Sequence, residues 1–221
     1  MTASPRTDGG VRVWRDVLAF AGVFAVSAAL PGPDTMLLFS RALGSGVRAA
    51  VTVAIGLVLG KVALLTAAVL GVAAAAVALG PLFVVLKLTG GAYLVWLAVG
   101  VWRRAGVDAP PAEQAATRSR LTGVGAGWRG IGLGALLTVS NPQALIFYVA
   151  VLPAVLGGHR VSPDEYLLLC AALVTVMALV AAAYITLAAR VRATIDTSRR
   201  RIAERVGAVL LGAAGAMVVA R

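Results

Sequence analysis

Three charged side chains lie inside stretches of the sequence that are otherwise almost entirely apolar: Asp34, Lys61 and Lys87. An ionised group is costly in hydrocarbon, so a charge in such a stretch usually faces a polar cavity or an opposite charge. Asp34 can bind an amino group or exchange a proton. Lys61 can hold a carboxylate, and it can equally form a buried ion pair with Asp34. The residue types leave these two roles of Lys61 open.

Prolines interrupt two of the apolar stretches near their middle, at 31–33 and at 142. A proline inside a helix removes an N–H donor and frees a carbonyl one turn earlier. In a bilayer, such irregular backbone persists only where protein or a water-filled cavity satisfies it. A helix that restarts after the break presents free N–H groups, which attract a carboxylate and which Asp34 or Thr35 could cap instead. The candidate substrate-binding residues are therefore Pro31, Gly32, Pro33, Asp34, Thr35, Lys61, Asn141 and Pro142.

Other chemistry is not indicated by the sequence. It contains no phosphate-binding glycine loop followed by Lys and Ser or Thr, and we identify no nucleophile paired with a base. The single histidine, His159, is predicted to be solvated in a short loop, and the single cysteine, Cys170, lies in an apolar stretch. The sequence therefore predicts a protein that is not an enzyme and that needs no cofactor or metal.

The elements that must position these residues are long apolar helices. Hydrophobic residues make up 60% of the chain and charged residues 13%, whereas soluble domains are about half apolar and a quarter charged. A chain of 221 residues cannot bury so much apolar surface in one aqueous core. A membrane-spanning helix needs about 20 apolar residues. The candidate spans are 17–40, 49–70, 81–102, 130–152, 165–189 and 206–220, and five spans is the competing count because the last is short.

Arginines indicate how the spans are oriented. Thirteen of the eighteen lie in the three gaps 41–48, 103–129 and 190–205. Because basic residues favour the cytoplasmic side of a membrane, these gaps are predicted to be cytoplasmic in a multi-pass protein. The net charge of +11 then reflects orientation and attraction to the lipid bilayer rather than binding to nucleic acid.

The segment 103–129 is predicted to be a basic, flexible linker between two similar halves, 1–102 and 130–221. Each half begins with a proline-bearing span, and Gly91-Ala92 in the third span is echoed by Gly207-Ala208 in the sixth. An odd number of spans in each half inserts the second half in the opposite direction, as in many secondary transporters. The predicted fold is an all-α integral membrane protein of six transmembrane helices in two inverted three-helix repeats, with the first and fourth helices broken at proline.

At these residues the chain resembles the lysine-exporter/homoserine–threonine-exporter (LysE/RhtB) translocator family. The matching stretches are 31–35, 87–97 and 141–147, with a further proline at 153. The resemblance implies a bacterial inner-membrane exporter of amino acids or related small polar metabolites, driven by the proton-motive force. It also implies site roles for Pro31, Gly32, Pro33, Asp34, Asn141 and Pro142. The chain departs from many relatives in carrying Lys61, and from some in lacking an aspartate in the fifth span.

From these observations we expect transport by alternating access between the halves. Asp34 is predicted to couple efflux to protons as an antiporter, because it is the only acidic side chain expected deep in the spans. A non-transporting membrane scaffold or assembly subunit, an efflux permease for another solute such as a metal cation, and a channel are the alternatives. The sequence leaves open the substrate, the coupling ion and whether the protein is a homodimer.

Overall fold

The computed structural model describes residues 6–71, 124–157 and 159–193, together with isolated helical residues between 88 and 103 and between 205 and 216. The predicted third span, sixth span and most of the linker lie outside the continuously described residues. In chain order the described helices are α1 (Arg6–Ala29), α2 (Pro33–Ser45), α3 (Val47–Val69), α4 (Val124–Ser140), α5 (Pro142–Ile146), a π-helical turn (Phe147–Val151), α6 (Leu152–Leu156) and α7 (Pro163–Ala193).

Up to four membrane spans lie within the described part of the chain. Helices α3 and α7 are each long and apolar enough to cross a membrane. Two bent pairs qualify as broken spans: α1 with α2, bent by 56°, and the region 127–140 with 143–156, bent by 61°. The chain is therefore a helical membrane protein with prolines at the breaks of its first and fourth predicted spans. The count of six spans stays a prediction.

The first break follows from proline chemistry. Helix α1 ends at Ala29, and Pro33 occupies the first position of α2, where the missing N–H would have had no helical partner in any case. The hydroxyl of Tyr184 in α7 donates a hydrogen bond of 2.9 Å to the carbonyl oxygen of Ala29. Helix α7 thus satisfies a carbonyl that the break leaves exposed.

Contacts between the helices give the direction of each span. At one end of the bundle the hydroxyls of Thr66 and Tyr166 are 2.7 Å apart, so α3 ends where α7 begins. At the other end Arg192, late in α7, donates to the carbonyl oxygen of Leu43 near the end of α2, at 3.2 Å. The first span and α7 therefore run in one direction, and α3 runs in the other.

Helices α3 and α4 run side by side in the same direction and pack closely at glycines. A Cβ added to Gly56 would collide with the carbonyl oxygen of Ile131, and one added to Gly134 would collide with that of Val53. Small residues allow such close approach between membrane helices. The first and fourth predicted spans are consequently antiparallel, as an inverted repeat requires, while the repeat itself stays a prediction.

The core of the described bundle is apolar, and so is much of its outer surface. Phe20, Leu37, Leu57 and Leu173 are fully buried between helices. Exposed large apolar side chains occur along the helices, among them Leu18, Val51, Ile55, Leu59 and Leu179. An exposed apolar surface this extensive marks contact with a membrane or a partner, and the spans identify it as the lipid-facing side.

Two observed boundaries differ from the predicted ones. Helix α4 begins at Val124, inside the segment assigned to the linker from composition, and α1 begins at Arg6 rather than near residue 17. Both helices continue beyond their apolar stretches, because helical hydrogen bonding does not end where the side chains become polar.

Candidate functional site

At the first break, one of the two candidate capping residues closes the helix that follows and the other does not. Gly32 is in an extended conformation, with φ of −153°. Its N–H donates to the Thr35 hydroxyl at 2.9 Å, and that hydroxyl donates to the Gly32 carbonyl oxygen at 3.0 Å. Thr35 therefore closes the first turn of α2. Asp34, the alternative cap in the sequence, directs its carboxylate elsewhere.

The second break is organised by Asn141. Its side-chain oxygen accepts a hydrogen bond of 3.0 Å from the N–H of Gln143, which caps the start of α5. Pro142 follows at the first helical position, where proline is favoured. This arrangement leaves the amide nitrogen of Asn141 free of the capping interaction. That nitrogen lies 3.5 Å from Oδ1 of Asp34, at the long limit for a hydrogen bond.

Asp34 and Lys61 form an ion pair between the two breaks. The ammonium of Lys61 lies 2.7 Å from Oδ2 of Asp34, and the two side chains are only 8% and 15% exposed. The same ammonium lies 5.7 Å from the ring centre of Phe24, within the range of a cation–π contact. Removing two charges from solvent is costly, and their mutual attraction offsets that cost only while both partners stay in place. In this conformation Lys61 is thus the partner of Asp34.

A small cavity of about 40 Å³ lies beside this ion pair. Six of the eight predicted binding residues line it: Gly32, Pro33, Asp34, Thr35, Lys61 and Asn141. Pro31 lies at the break outside the cavity wall, and the side chain of Pro142, the first residue of α5, lies outside the described part of the chain. The space can hold a few water molecules, and an amino acid needs more room than that.

Part of the cavity wall is aromatic, which the sequence analysis did not predict. Phe24, Phe147 and Tyr148 line the cavity together with Ser27 and Gln143. The rings contact one another: Phe24 and Phe147 have centroids 5.6 Å apart, and Phe147 meets Tyr148 edge-on at 5.3 Å. The feature of the sequence that could have identified these aromatic residues was their position, about two helical turns from a proline break.

A second polar cluster was also missed. The Nε2 atom of His159 lies 3.0 Å from Glu165 Oε1, so the prediction of a merely solvated histidine is wrong. Glu165 is 1% exposed and Asp16 3% exposed, and Arg15 approaches Asp16 at 3.2 Å. Asp34 is thus joined by two more buried carboxylates among the described residues. Glu165 lies at the start of α7 and contacts His159 in the loop before that helix, and Asp16 in α1 lies within 4.8 Å of both.

The continuously described arginines of two predicted cytoplasmic gaps, 41–48 and 190–205, lie at one end of the bundle. Arg192 donates to the carbonyl oxygens of Ala42 and Leu43, at 3.4 and 3.2 Å. These carbonyls end helix α2, close to Arg41 and Arg48. The cluster of Asp16, His159 and Glu165 lies at the opposite end, where α7 begins. These two gaps therefore lie at the same end of the bundle, as the distribution of arginines predicts.

A helical membrane protein with two broken spans around a polar cavity has the plan of a secondary transporter. The family model described as "LysE type translocator" matches residues 25–221. The chain therefore belongs to the LysE translocator family, as its proline and asparagine motifs indicate. This is a family of transporters rather than enzymes.

Relatives include proteins named for amino-acid efflux. An "uncharacterized membrane protein" of Vibrio cholerae is 29% identical over 180 residues, or 81% of this chain and 82% of the relative. A "homoserine/homoserine lactone efflux protein" of Salmonella typhi is 31% identical over 114 residues, about 51% of each chain. A "leucine efflux protein" of Enterobacter sp. (strain 638) is 29% identical over 126 residues, covering 55% and 54%. No solved structure matches the chain at a significant level.

Proposed function

We propose that the protein is a secondary-active exporter of small zwitterionic amino acids with uncharged side chains. The observation that carries this proposal is the ion pair of Asp34 and Lys61 beside the cavity between the two breaks. A solute that carries one ammonium and one carboxylate matches this pair. The relatives named for efflux of homoserine and of leucine support the same class of solute, whereas homoserine lactone, named with the first, has no free carboxylate.

Exchange of ionic partners explains how the solute can bind at this site. The ammonium of the solute replaces Lys61 at the Asp34 carboxylate, and its carboxylate takes the released Lys61. The N–H groups in the first turn of α2 favour the same negative charge. No charge is left buried without a partner, which is the condition for a buried ion pair to be tolerated. A solute with an additional side-chain charge lacks a counterpart among the cavity-lining residues.

The small cavity supports a transport cycle with alternating access. Its volume of about 40 Å³ requires movement at the breaks before an amino acid can enter or leave. In the proposed cycle one half rocks against the other, and Asp34 takes up a proton when it releases the solute. The proton-motive force then drives efflux. The ends of the spans that carry most arginines face the cytoplasm, as does the segment 103–129, in a multi-pass protein of the bacterial inner membrane.

The ion pair and the cavity give less support to the alternative functions that the sequence left open. A scaffold or assembly subunit has no need for a buried ion pair beside a cavity, because such a pair is a weak source of stability. A metal cation would have to displace Lys61 from Asp34. The remaining cavity-lining residues offer no thiolate or imidazole to hold it.

Transport in proteoliposomes tests the proposal. The full chain is reconstituted with a panel of labelled amino acids, and efflux and counterflow are measured with and without an imposed pH gradient. We expect saturable counterflow of uncharged amino acids, faster efflux with the gradient, and no transport of lysine or glutamate. The matched control is Asp34→Asn/Lys61→Met, which removes both charges together. Absence of counterflow for every amino acid, from folded protein, contradicts the proposal.

A further inference from the structure

Tyr148 carries a buried hydroxyl without a hydrogen-bond partner among the described residues. The side chain is 1% exposed and lines the cavity beside the Asp34–Lys61 pair. A buried hydroxyl without a partner is unfavourable, and each such group in a native structure requires an explanation. A ligand in the cavity is one explanation that the position of Tyr148 permits.

The other described tyrosines show that this hydroxyl is an exception. Tyr166 contacts the Thr66 hydroxyl at 2.7 Å, and Tyr184 donates to the Ala29 carbonyl oxygen at 2.9 Å. Ser140 also has a buried hydroxyl without a described partner, but Ser140 does not line the cavity. Tyr148 is thus the cavity-lining residue with an unused hydroxyl, in a wall that it shares with Asp34, Lys61 and Asn141.

Local structure holds the Tyr148 ring in place. Ala144, Phe147 and Tyr148 are spaced three and four residues apart, so they share one face of the helix, and all three line the cavity. Tyr148 packs edge-on against Phe147 and lies in the π-helical turn Phe147–Val151. Such turns are rare in proteins as a whole, and those that occur often lie at functional sites. The ring therefore has its packing from Phe147, and its hydroxyl is not used by any described group.

A solute carboxylate is the acceptor that suits this donor. In the empty site, the Asp34 oxygens already face Lys61 and Asn141. A bound carboxylate brings two new oxygens, and Lys61 alone does not saturate them. We propose that Tyr148 is a solute-binding residue whose hydroxyl donates to the carboxylate of the exported amino acid, beside Lys61. This inference rests on the proposed function, because it requires an amino acid in the cavity.

The variant Tyr148→Phe separates a binding role from a structural one. It deletes only the hydroxyl and retains the ring against Phe147. A hydroxyl without a protein partner contributes no favourable bond to the empty protein, so thermal stability should be unchanged or higher. A hydrogen bond to a charged group is lost from the loaded protein, which weakens solute binding by about tenfold to a hundredfold. Loss of the hydroxyl should therefore leave thermal stability unchanged or higher while it weakens solute binding. A packing defect would lower both stability and binding.

The experiment uses the full chain in proteoliposomes with L-leucine and L-homoserine as counterflow probes, and 3-methylbutylamine, the decarboxylated analogue of leucine, as an inhibitor that has neither a carboxylate nor a carbonyl oxygen. Wild type is compared with Tyr148→Phe and with the matched control Tyr166→Phe. We expect the KM of Tyr148→Phe to rise about tenfold or more, with little change in kcat, in inhibition by 3-methylbutylamine or in the melting temperature. Tyr166→Phe should retain the wild-type KM.

Each other outcome overturns the inference in a distinguishable way. An unchanged KM in Tyr148→Phe removes Tyr148 from the binding site while the exporter assignment stands. An equal loss for leucine and 3-methylbutylamine shows that the hydroxyl does not bind the carboxylate. A melting temperature lowered by several degrees shows that the hydroxyl has a structural partner. Absence of counterflow for every amino acid in the wild-type panel overturns this inference together with the proposed function.

Discussion

The amide nitrogen of Asn141 lies 3.5 Å from the carboxylate of Asp34, although 107 residues separate them in the chain. Asn141 caps the helix that follows the second break, and Asp34 lies in the first turn after the first break. The two interruptions of the membrane spans therefore meet at one place. Lys61, from the intact span α3, supplies the opposite charge at that meeting point.

Removing the Asp34 charge alone should be more harmful than removing both charges. Asp34→Asn leaves the Lys61 ammonium buried without a carboxylate, which costs about 3–5 kcal/mol of folding stability. Asp34→Asn/Lys61→Met leaves no unpaired charge and should recover most of that loss. Neither variant should show gradient-driven efflux, because the proposed proton carrier is absent from both. Thermal unfolding in detergent measures the first effect, and proteoliposome efflux measures the second.

The matched control for this prediction is Asp164→Asn, which alters an exposed carboxylate at the start of α7. We expect stability and transport near those of the wild type. A folded Asp34→Asn protein that still performs efflux driven by a pH gradient would show that Asp34 is not the proton carrier.

The glycines between α3 and α4 should tolerate substitution according to the space around them. Gly134→Ala places a methyl group against the backbone of Val53 and Leu57, and overpacking of this kind typically costs about 1–3 kcal/mol. Gly132→Ala, two residues earlier on the same helix, meets no atom within 4 Å. That variant should gain up to about 1 kcal/mol from helix propensity. Thermal unfolding of both proteins in detergent checks the prediction, and equal destabilisation would refute the close packing.

The buried Glu165 should stabilise the end of the bundle where α7 begins. Glu165→Ala deletes the partner of His159 at 3.0 Å and should cost about 1–3 kcal/mol, since His159 loses its hydrogen-bond partner. Asp164→Ala, at the exposed neighbouring position, should cost no more than about 0.5 kcal/mol. Melting temperatures of the two variants provide the measurement. If Asp164→Ala were as harmful as Glu165→Ala, helix capping rather than the buried contact would explain the effect.

Much of the local organisation could be predicted from the sequence. The length of each apolar stretch predicted helices α3 and α7, and proline predicted the breaks before α2 and α5, because both properties depend on adjacent residues. The family resemblance was carried by the same local motifs. Six of the eight residues chosen from these motifs line the cavity, although their binding role remains a proposal.

Contacts between distant parts of the chain were decided by the tertiary structure. The sequence left open whether Lys61 pairs with Asp34, and it did not place Glu165 beside His159 or Tyr148 in the cavity wall. Each of these depends on how a helix is rotated about its axis. In a soluble protein an amphipathic pattern fixes that rotation, whereas lipid is as apolar as the core and leaves little pattern to read. Rotation is set instead by packing between segments such as Gly56 and Ile131, which are remote in the sequence.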